Sequence, residues 1–86
     1  MLQIKNLRKG MIFIERDTGC EGTFEALEDV RLEENPDCLG GKEYLCKAKY
    51  ISGFKGGFIN KNNEIVFKES IEAGCYCLDL ELVSMP

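Results

Sequence analysis

The chain has 86 residues, which is enough for one domain and too few for two separate hydrophobic cores. Its hydrophobic fraction of 44% and charged fraction of 30% are those of a folded globular protein and exclude a disordered tail. The net charge of −4 disfavours binding dominated by phosphate neutralisation, and the lack of histidine excludes Ser-His and Cys-His catalytic pairs within one chain. We therefore expect residues 1–86 to form a single small domain.

The cysteine content predicts the compartment. Five cysteines are an odd number, so they cannot all form disulfides within the chain. No stretch approaches the roughly 20 apolar residues that cross a bilayer, and residues 1–10 lack the apolar centre of a secretion signal. These features predict a cytoplasmic protein with reduced thiols and no association with a membrane.

The first strand is predicted at residues 11–14, where Met-Ile-Phe-Ile follows a glycine. Asp17-Thr18-Gly19 then predicts a turn, since aspartate and glycine are favoured where a chain reverses. The same tripeptide carries the catalytic aspartate of aspartic proteases, in which two such aspartates share one proton. In that family it follows a buried apolar strand directly, whereas Glu15 and Arg16 precede it here. The turn interpretation is therefore favoured.

The segment 23–34 is ambiguous between helix and strand. Glu25-Ala26-Leu27-Glu28 is rich in helix-forming residues, while Phe24, Ala26, Val30 and Leu32 would share one face of a strand. We favour a strand that forms a long hairpin with the next segment, because no glycine stop precedes the loop at residues 35–41.

Later strands are indicated by an apolar period of two. Residues 42–51 alternate most clearly, residues 60–63 resemble a hairpin tip between residues 58–59 and 65–67, and residues 75–83 form the last predicted strand. The alternation predicts a core drawn from Ile12, Ile14 or Phe13, Phe24, Tyr44, Cys46, Ala48, Ile65 or Val66, Phe67, Leu78, Leu80 and Leu82.

These elements predict an all-β fold, or β with one short helix if residues 23–34 are helical. A small barrel of five to six strands, SH3-like or OB-like, is the most economical arrangement for so short a chain. Closure of the sheet would also remove the exposed edges that promote aggregation.

A candidate binding surface comes from lysines and aromatic residues that lie close together in the sequence. A basic surface with aromatic platforms is typical of proteins that bind single-stranded nucleic acid. The competing interpretation is a solvated strand face with the aromatic rings in the core, which the net negative charge favours. The residues of this candidate surface are Lys47, Lys49, Phe54, Lys55 and Phe58.

A second candidate is the thiol pair Cys75 and Cys77, whose side chains would project from the same face of a strand. Together with Cys38 and Cys46 it could supply four zinc ligands, or it could act in redox chemistry. The spacings differ from those of common zinc sites, so we expect small, half-buried hydrophobic cysteines, no bound metal and no cofactor.

Charge is distributed unevenly along the chain. Residues 15–37 carry nine acidic and two basic side chains, a net −7, and residues 42–68 carry six lysines and two glutamates, a net +4. This polarity predicts opposite fields at opposite edges of the fold.

The leading functional hypothesis is a non-enzymatic binding module without catalytic residues. It would present a charged β face or loops to a partner protein or a small ligand, as accessory or inhibitor proteins of phages and mobile elements do. The alternatives are a cysteine-ligated zinc or redox domain and a binder of single-stranded nucleic acid, of which nucleic acid is the less favoured partner. Formation of homo-oligomers stays open.

Overall fold

The computed structural model of the protein describes residues 2–17, 20–72 and 78–86. Within them lies one six-stranded antiparallel sheet with two short 3-10 turns and no α-helix, so the all-β prediction is confirmed. No helix in this part of the chain is long and apolar enough to span a membrane. The strands are β1 (Ile12–Asp17), β2 (Cys20–Ala26), β3 (Arg31–Glu34), β4 (Lys42–Gly53), β5 (Glu64–Ser70) and β6 (Leu80–Ser84), and the turns are Ile4–Asn6 and Leu39–Gly41.

Strand β1 lies between β2 and β6. Asp17 stands opposite Cys20, as the predicted turn requires, although Thr18 and Gly19 are outside the described residues. Of the last predicted strand, residues 75–83, residues 80–83 lie in β6 and Leu78 and Asp79 precede it. Residues 75–77 are outside the described residues.

The ambiguous segment 23–34 forms strands, and its helical alternative is wrong. Both β2 and β3 pair with the same side of β4, with Ala26 opposite Ala48 and Arg31 opposite Leu45. Four residues, 27–30, therefore face only two residues of β4. This is an interrupted hairpin in which the Glu28 carboxylate takes the place of a backbone partner.

The interruption at residues 27–30 is held by two hydrogen bonds to Lys47. The backbone N–H of Lys47 donates to Oε2 of Glu28 at 2.8 Å, and the C=O of Lys47 accepts from the N–H of Leu27 at 2.9 Å. Both backbone groups of Lys47 are thus satisfied where the regular ladder is broken. The pKa of Glu28 is lowered by this hydrogen bond from the Lys47 N–H and further by Arg31.

The sheet is strongly curled around its core. Phe13 of β1 and Phe67 of β5 lie on strands that are separated in the sheet by β2 and β4, yet their ring centroids are 5.5 Å apart. Phe24 packs on both rings, at 6.0 Å from Phe13 and 5.0 Å from Phe67. The inner, concave face therefore holds the core. Its buried residues are Ile4, Leu7, Met11, Phe13, Phe24, Ala26, Cys46, Ala48, Phe67 and Leu80.

Most of the predicted core is confirmed. Phe13, Phe24, Cys46, Ala48, Phe67 and Leu80 are buried, and Tyr44, Ile65 and Leu78 pack partly buried against them. Ile12 and Ile14 alternate with Phe13 and are half-buried.

Leu82 was predicted in the core and is 39% exposed, and Leu80 is the only residue of β6 that is buried. Ile4, Leu7 and Met11 belong to the core although they precede the first strand. An irregular segment has no period of two, so alternation could not identify Ile4 and Leu7. Met11 lies within the predicted first strand and alternates with Phe13, but it was not included in the predicted core.

Two expectations about strand pairing need correction. Among the described residues no ladder joins β5 to β1 or β6, so the sheet is open on this side and barrel closure is not observed. Residues 60–63 do form a turn, in which the N–H of Asn63 donates to the C=O of Asn60, but residues 58–59 are not a strand. The side chain of Asn60 caps the turn locally, and β5 pairs instead with β4.

Candidate functional site

A groove of about 800 Å³ opens on the concave face, at the side where the sheet is not closed. Buried Phe24 and Phe67 form its floor, and it is bounded by residues 54–59, by one edge of β5 and by Leu78. Its lining is mainly apolar, with few polar side chains. A concave apolar site with a small number of polar groups is the usual form of a ligand-binding pocket.

The loop of residues 54–63 connects β4 to β5 and forms one wall of the groove. It begins at Gly53, whose φ of 92° belongs to the left-handed region that favours glycine. The next N–H, that of Phe54, donates to the C=O of Glu21 at 2.7 Å. Lys55 then donates to Oδ1 of Asn63 at 2.6 Å, so both ends of the loop are anchored.

Gly22 of β2 allows this loop to approach the sheet. A Cβ at this position would lie 2.9 Å from the ring of Phe24 and 3.0 Å from the C=O of Phe54. Glycine inside a strand pattern often marks a close approach of another backbone, and that signal was present in the sequence. The close approach places the Phe54 side chain at the groove.

Phe54 and Phe58 extend from the loop into solvent beside the groove. Their exposed fractions are 58% and 90%, whereas the phenylalanines of the floor are almost fully buried. The loop therefore presents two aromatic rings that the protein's own core does not cover.

Three polar side chains line the groove: Glu15 of β1, Cys20 of β2 and Lys68 of β5. Glu15 and Cys20 fall on the inner face because they alternate with the buried residues Phe13 and Phe24. None of the three is identifiable from a local motif, since each depends on which strands border the opening.

The structure does not assemble the predicted surface of lysines and aromatic residues. Phe54 and Phe58 line the groove, while Lys47 and Lys49 project from the outer face of β4. Lys55 lies over the ring of Tyr50, with Nζ 5.7 Å from the centroid. Lys47 and Lys49 therefore lie on a different surface from the two phenylalanines, whereas Lys55 stays on the loop that carries them.

The outer-face lysines also have acidic neighbours. Lys49 stands opposite Glu25 of β2 on one side and Glu64 of β5 on the other, and Nζ of Lys47 lies 3.4 Å from Oε1 of Glu64. The expectation of opposite fields at opposite edges is wrong, because the acidic strands β2 and β3 pair directly with the lysine-bearing β4. Their charges alternate across one face and partly cancel.

Two of the described cysteines, Cys38 and Cys46, have thiol pKa values raised above the ordinary value. Cys46 is fully buried, burial raises its pKa to about 11, and its Sγ donates to the C=O of Glu28 at 3.4 Å. Desolvation and a hydrogen bond to Glu43 raise the pKa of Cys38. Cys46 therefore lies in the core as a small apolar residue.

The thiol pair Cys75 and Cys77 lies outside the described residues. Within residues 2–17, 20–72 and 78–86, no three His, Cys, Asp or Glu side chains are grouped so that they could hold a metal ion.

Comparison of the chain with protein-family models, with curated proteins and with solved structures found no match.

Proposed function

We propose that this protein is a non-enzymatic binding module that accepts an apolar group of a partner protein or small ligand in the groove. The observation that carries the proposal is the 90% exposure of Phe58 beside an apolar concavity of about 800 Å³. Burying a phenylalanine side chain stabilises a complex by roughly 1.5–3 kcal/mol, so covering this ring favours binding.

The groove and its loop support this role better than the charged outer face does. A partner at the outer face of β4 would meet Lys47 and Lys49 among Glu25 and Glu64, and exposed pairs of this kind contribute little affinity. A partner at the groove would bury apolar surface held by an anchored loop, so little conformational entropy would be lost on binding.

We also infer that the curled sheet is an incomplete barrel of the SH3-like or OB-like kind. The contact between Phe13 and Phe67 across two intervening strands supports this inference, since a flat sheet would keep those rings apart. An accessory or inhibitor role in the cytoplasm fits a small acidic chain with an odd number of cysteines.

A titration with 8-anilinonaphthalene-1-sulfonate, an apolar fluorescent probe, tests the proposal. We expect saturable binding, with amide chemical-shift changes concentrated in residues 54–59 and in β5. The Phe58→Ala variant should bind the probe at least about fivefold more weakly, because the ring forms part of the groove lining.

Leu39→Ala is the matched control, since Leu39 is 67% exposed and does not line the groove. Its affinity for the probe should equal that of the parent protein. Shift changes confined to the outer face of the sheet, or equal probe affinity of the Phe58→Ala variant and the parent, would exclude the groove as the binding site.

A further inference from the structure

One edge of β5 points its backbone hydrogen-bonding groups away from β4. In an antiparallel ladder the residues of a strand alternate between bonding to the neighbour on one side and pointing to the other. Ile71, directly after β5, donates to the C=O of Lys42, so residues 65, 67 and 69 bond to β4 in the same way. The N–H and C=O groups of residues 64, 66 and 68 therefore face outward.

The beginning of this edge is capped, and the middle faces the groove. The N–H of Glu64 donates to Oδ1 of Asn60, and its C=O accepts from the N–H of Asn60, both at 2.9 Å. Val66 and Lys68 line the groove, and no backbone group of residues 2–17, 20–72 or 78–86 pairs with their outward N–H and C=O groups. The groove thus offers two donors and two acceptors beside an apolar floor.

We propose that the groove binds an extended segment of a partner protein, which adds to β5 as a further antiparallel strand. This inference rests on the proposed function, because it uses the same groove and specifies the partner. Strand addition to an exposed edge is a common mode of peptide recognition, in which the main chain supplies affinity and alternate side chains supply specificity. It would also fill the opening that keeps the sheet from closing.

The edge residues determine which peptide fits. The peptide residue opposite Phe67 points inward, onto Phe24 and between the loop phenylalanines, so a large apolar side chain is favoured there. The peptide residue opposite Lys68 points to the outer face of the sheet, as the Lys68 side chain does. No carboxylate of a described residue lies within 4 Å of the Lys68 ammonium, so an acidic residue at this position gains a cross-strand partner.

Val66 favours an apolar, β-branched residue opposite itself. Because the added strand runs antiparallel to β5, the peptide meets Lys68 first and Val66 last. The favoured order from its N-terminus is therefore acidic, large apolar, β-branched.

The test uses acetylated, amidated octapeptides with Glu-Phe-Val at their centre, titrated against the full chain by calorimetry. We expect saturable binding and at least tenfold slower hydrogen exchange of the Val66 and Lys68 amides in the complex. N-methylation of the peptide valine, which removes a donor to β5, should weaken binding at least about tenfold. N-methylation of the peptide phenylalanine adds the same methyl group on the side facing away from β5. It should weaken peptide binding less than threefold.

Substitutions in the protein test the β5 edge directly. Val66→Pro removes an outward N–H without removing a bond to β4, and should abolish peptide binding. Lys68→Glu should weaken binding about fivefold, and a Lys-Phe-Val peptide should restore it. Lys61→Glu is the matched control for charge, since Lys61 is exposed in the turn and does not line the groove.

Three outcomes would overturn the inference. Equal affinity of the two N-methylated peptides would mean that side chains bind without strand addition, and this would leave the proposed function intact. Binding of the fluorescent probe without binding of any peptide would exclude an extended peptide as the ligand and would also leave the proposed function intact. A dimer detected by light scattering and lost on Val66→Pro would assign the edge to a second copy of the chain.

Discussion

The two groups of phenylalanines in this protein have opposite environments. Phe13, Phe24 and Phe67 form a buried cluster on the concave face of the sheet, with ring centroids 5.0 to 6.0 Å apart. Phe54 and Phe58 lie on the loop beside the groove and are 58% and 90% exposed. The first group keeps the sheet curled, and the second contributes little to folding, so the same residue type serves stability in one region and recognition in the other.

Phe13→Ala is the substitution with the largest expected effect. Phe13 is fully buried and packs against the rings of Phe24 and Phe67, so its removal leaves a cavity in the core. We expect a loss of about 3–5 kcal/mol in the free energy of unfolding, measured by urea denaturation. A loss below about 1 kcal/mol would show that this cluster does not hold the sheet together.

Gly53→Ala should have the next largest effect, because it acts at the junction between the sheet and the loop. Gly53 has a positive φ, and a Cβ there would overlap the C=O of Glu21. We expect a loss of about 1–3 kcal/mol on urea denaturation, together with shifts of the Phe54 and Phe58 amide resonances.

Gly57→Ala provides the control for Gly53→Ala, since a Cβ on Gly57 meets no atom within 4 Å. Its stability should stay within about 0.5 kcal/mol of the parent protein. Equal effects of the two substitutions would mean that the backbone at Gly53 does not position the loop.

Glu28→Gln should lower stability by about 1 kcal/mol at pH 7, because a charged acceptor of the Lys47 N–H is replaced by a neutral one. The pKa of Glu28 is lowered in the folded state, so its contribution is present above the ordinary value of 4.5 and is lost as the pH falls through the folded pKa. The stability difference between parent and variant, measured by denaturation from pH 7 to pH 3, should therefore shrink below pH 4.5. A stability difference that stayed constant over this pH range would show that the Glu28 carboxylate does not stabilise the fold as the acceptor of the Lys47 N–H.

Phe58→Ala has the smallest expected effect on stability, within about 0.5 kcal/mol, because its ring is 90% exposed. Thermal and urea unfolding should match the parent protein, while affinity for the apolar probe falls. A large loss of stability would place this ring in the core and would remove the contrast between the two groups.

Strand positions and most of the core could be predicted from local pattern. Cys46, Ala48, Phe67 and Leu80 were assigned inward by alternation and are buried. Leu82 was also assigned inward but is 39% exposed. Alternation identifies the face of a strand on which a residue lies, but not how far along the strand that face is covered by other residues.

The candidate site was predicted only in part. Phe54 and Phe58 were selected as binding residues, but they were grouped with Lys47 and Lys49, which lie on another face of the sheet. Proximity in sequence does not determine the surface on which two residues meet when a left-handed glycine redirects the chain between them.

The period of two in the sequence was enough to specify an all-β chain, its main strands and the buried side of most of them, because alternate side chains of a strand point to opposite faces. The interruption at residues 27–30, the pairing of acidic strands with the lysine-bearing β4 and the groove at the β5 edge were settled only by the tertiary structure. These features depend on strand register and on the curl of the sheet, which bring together residues far apart in the chain. No local pattern encodes such contacts.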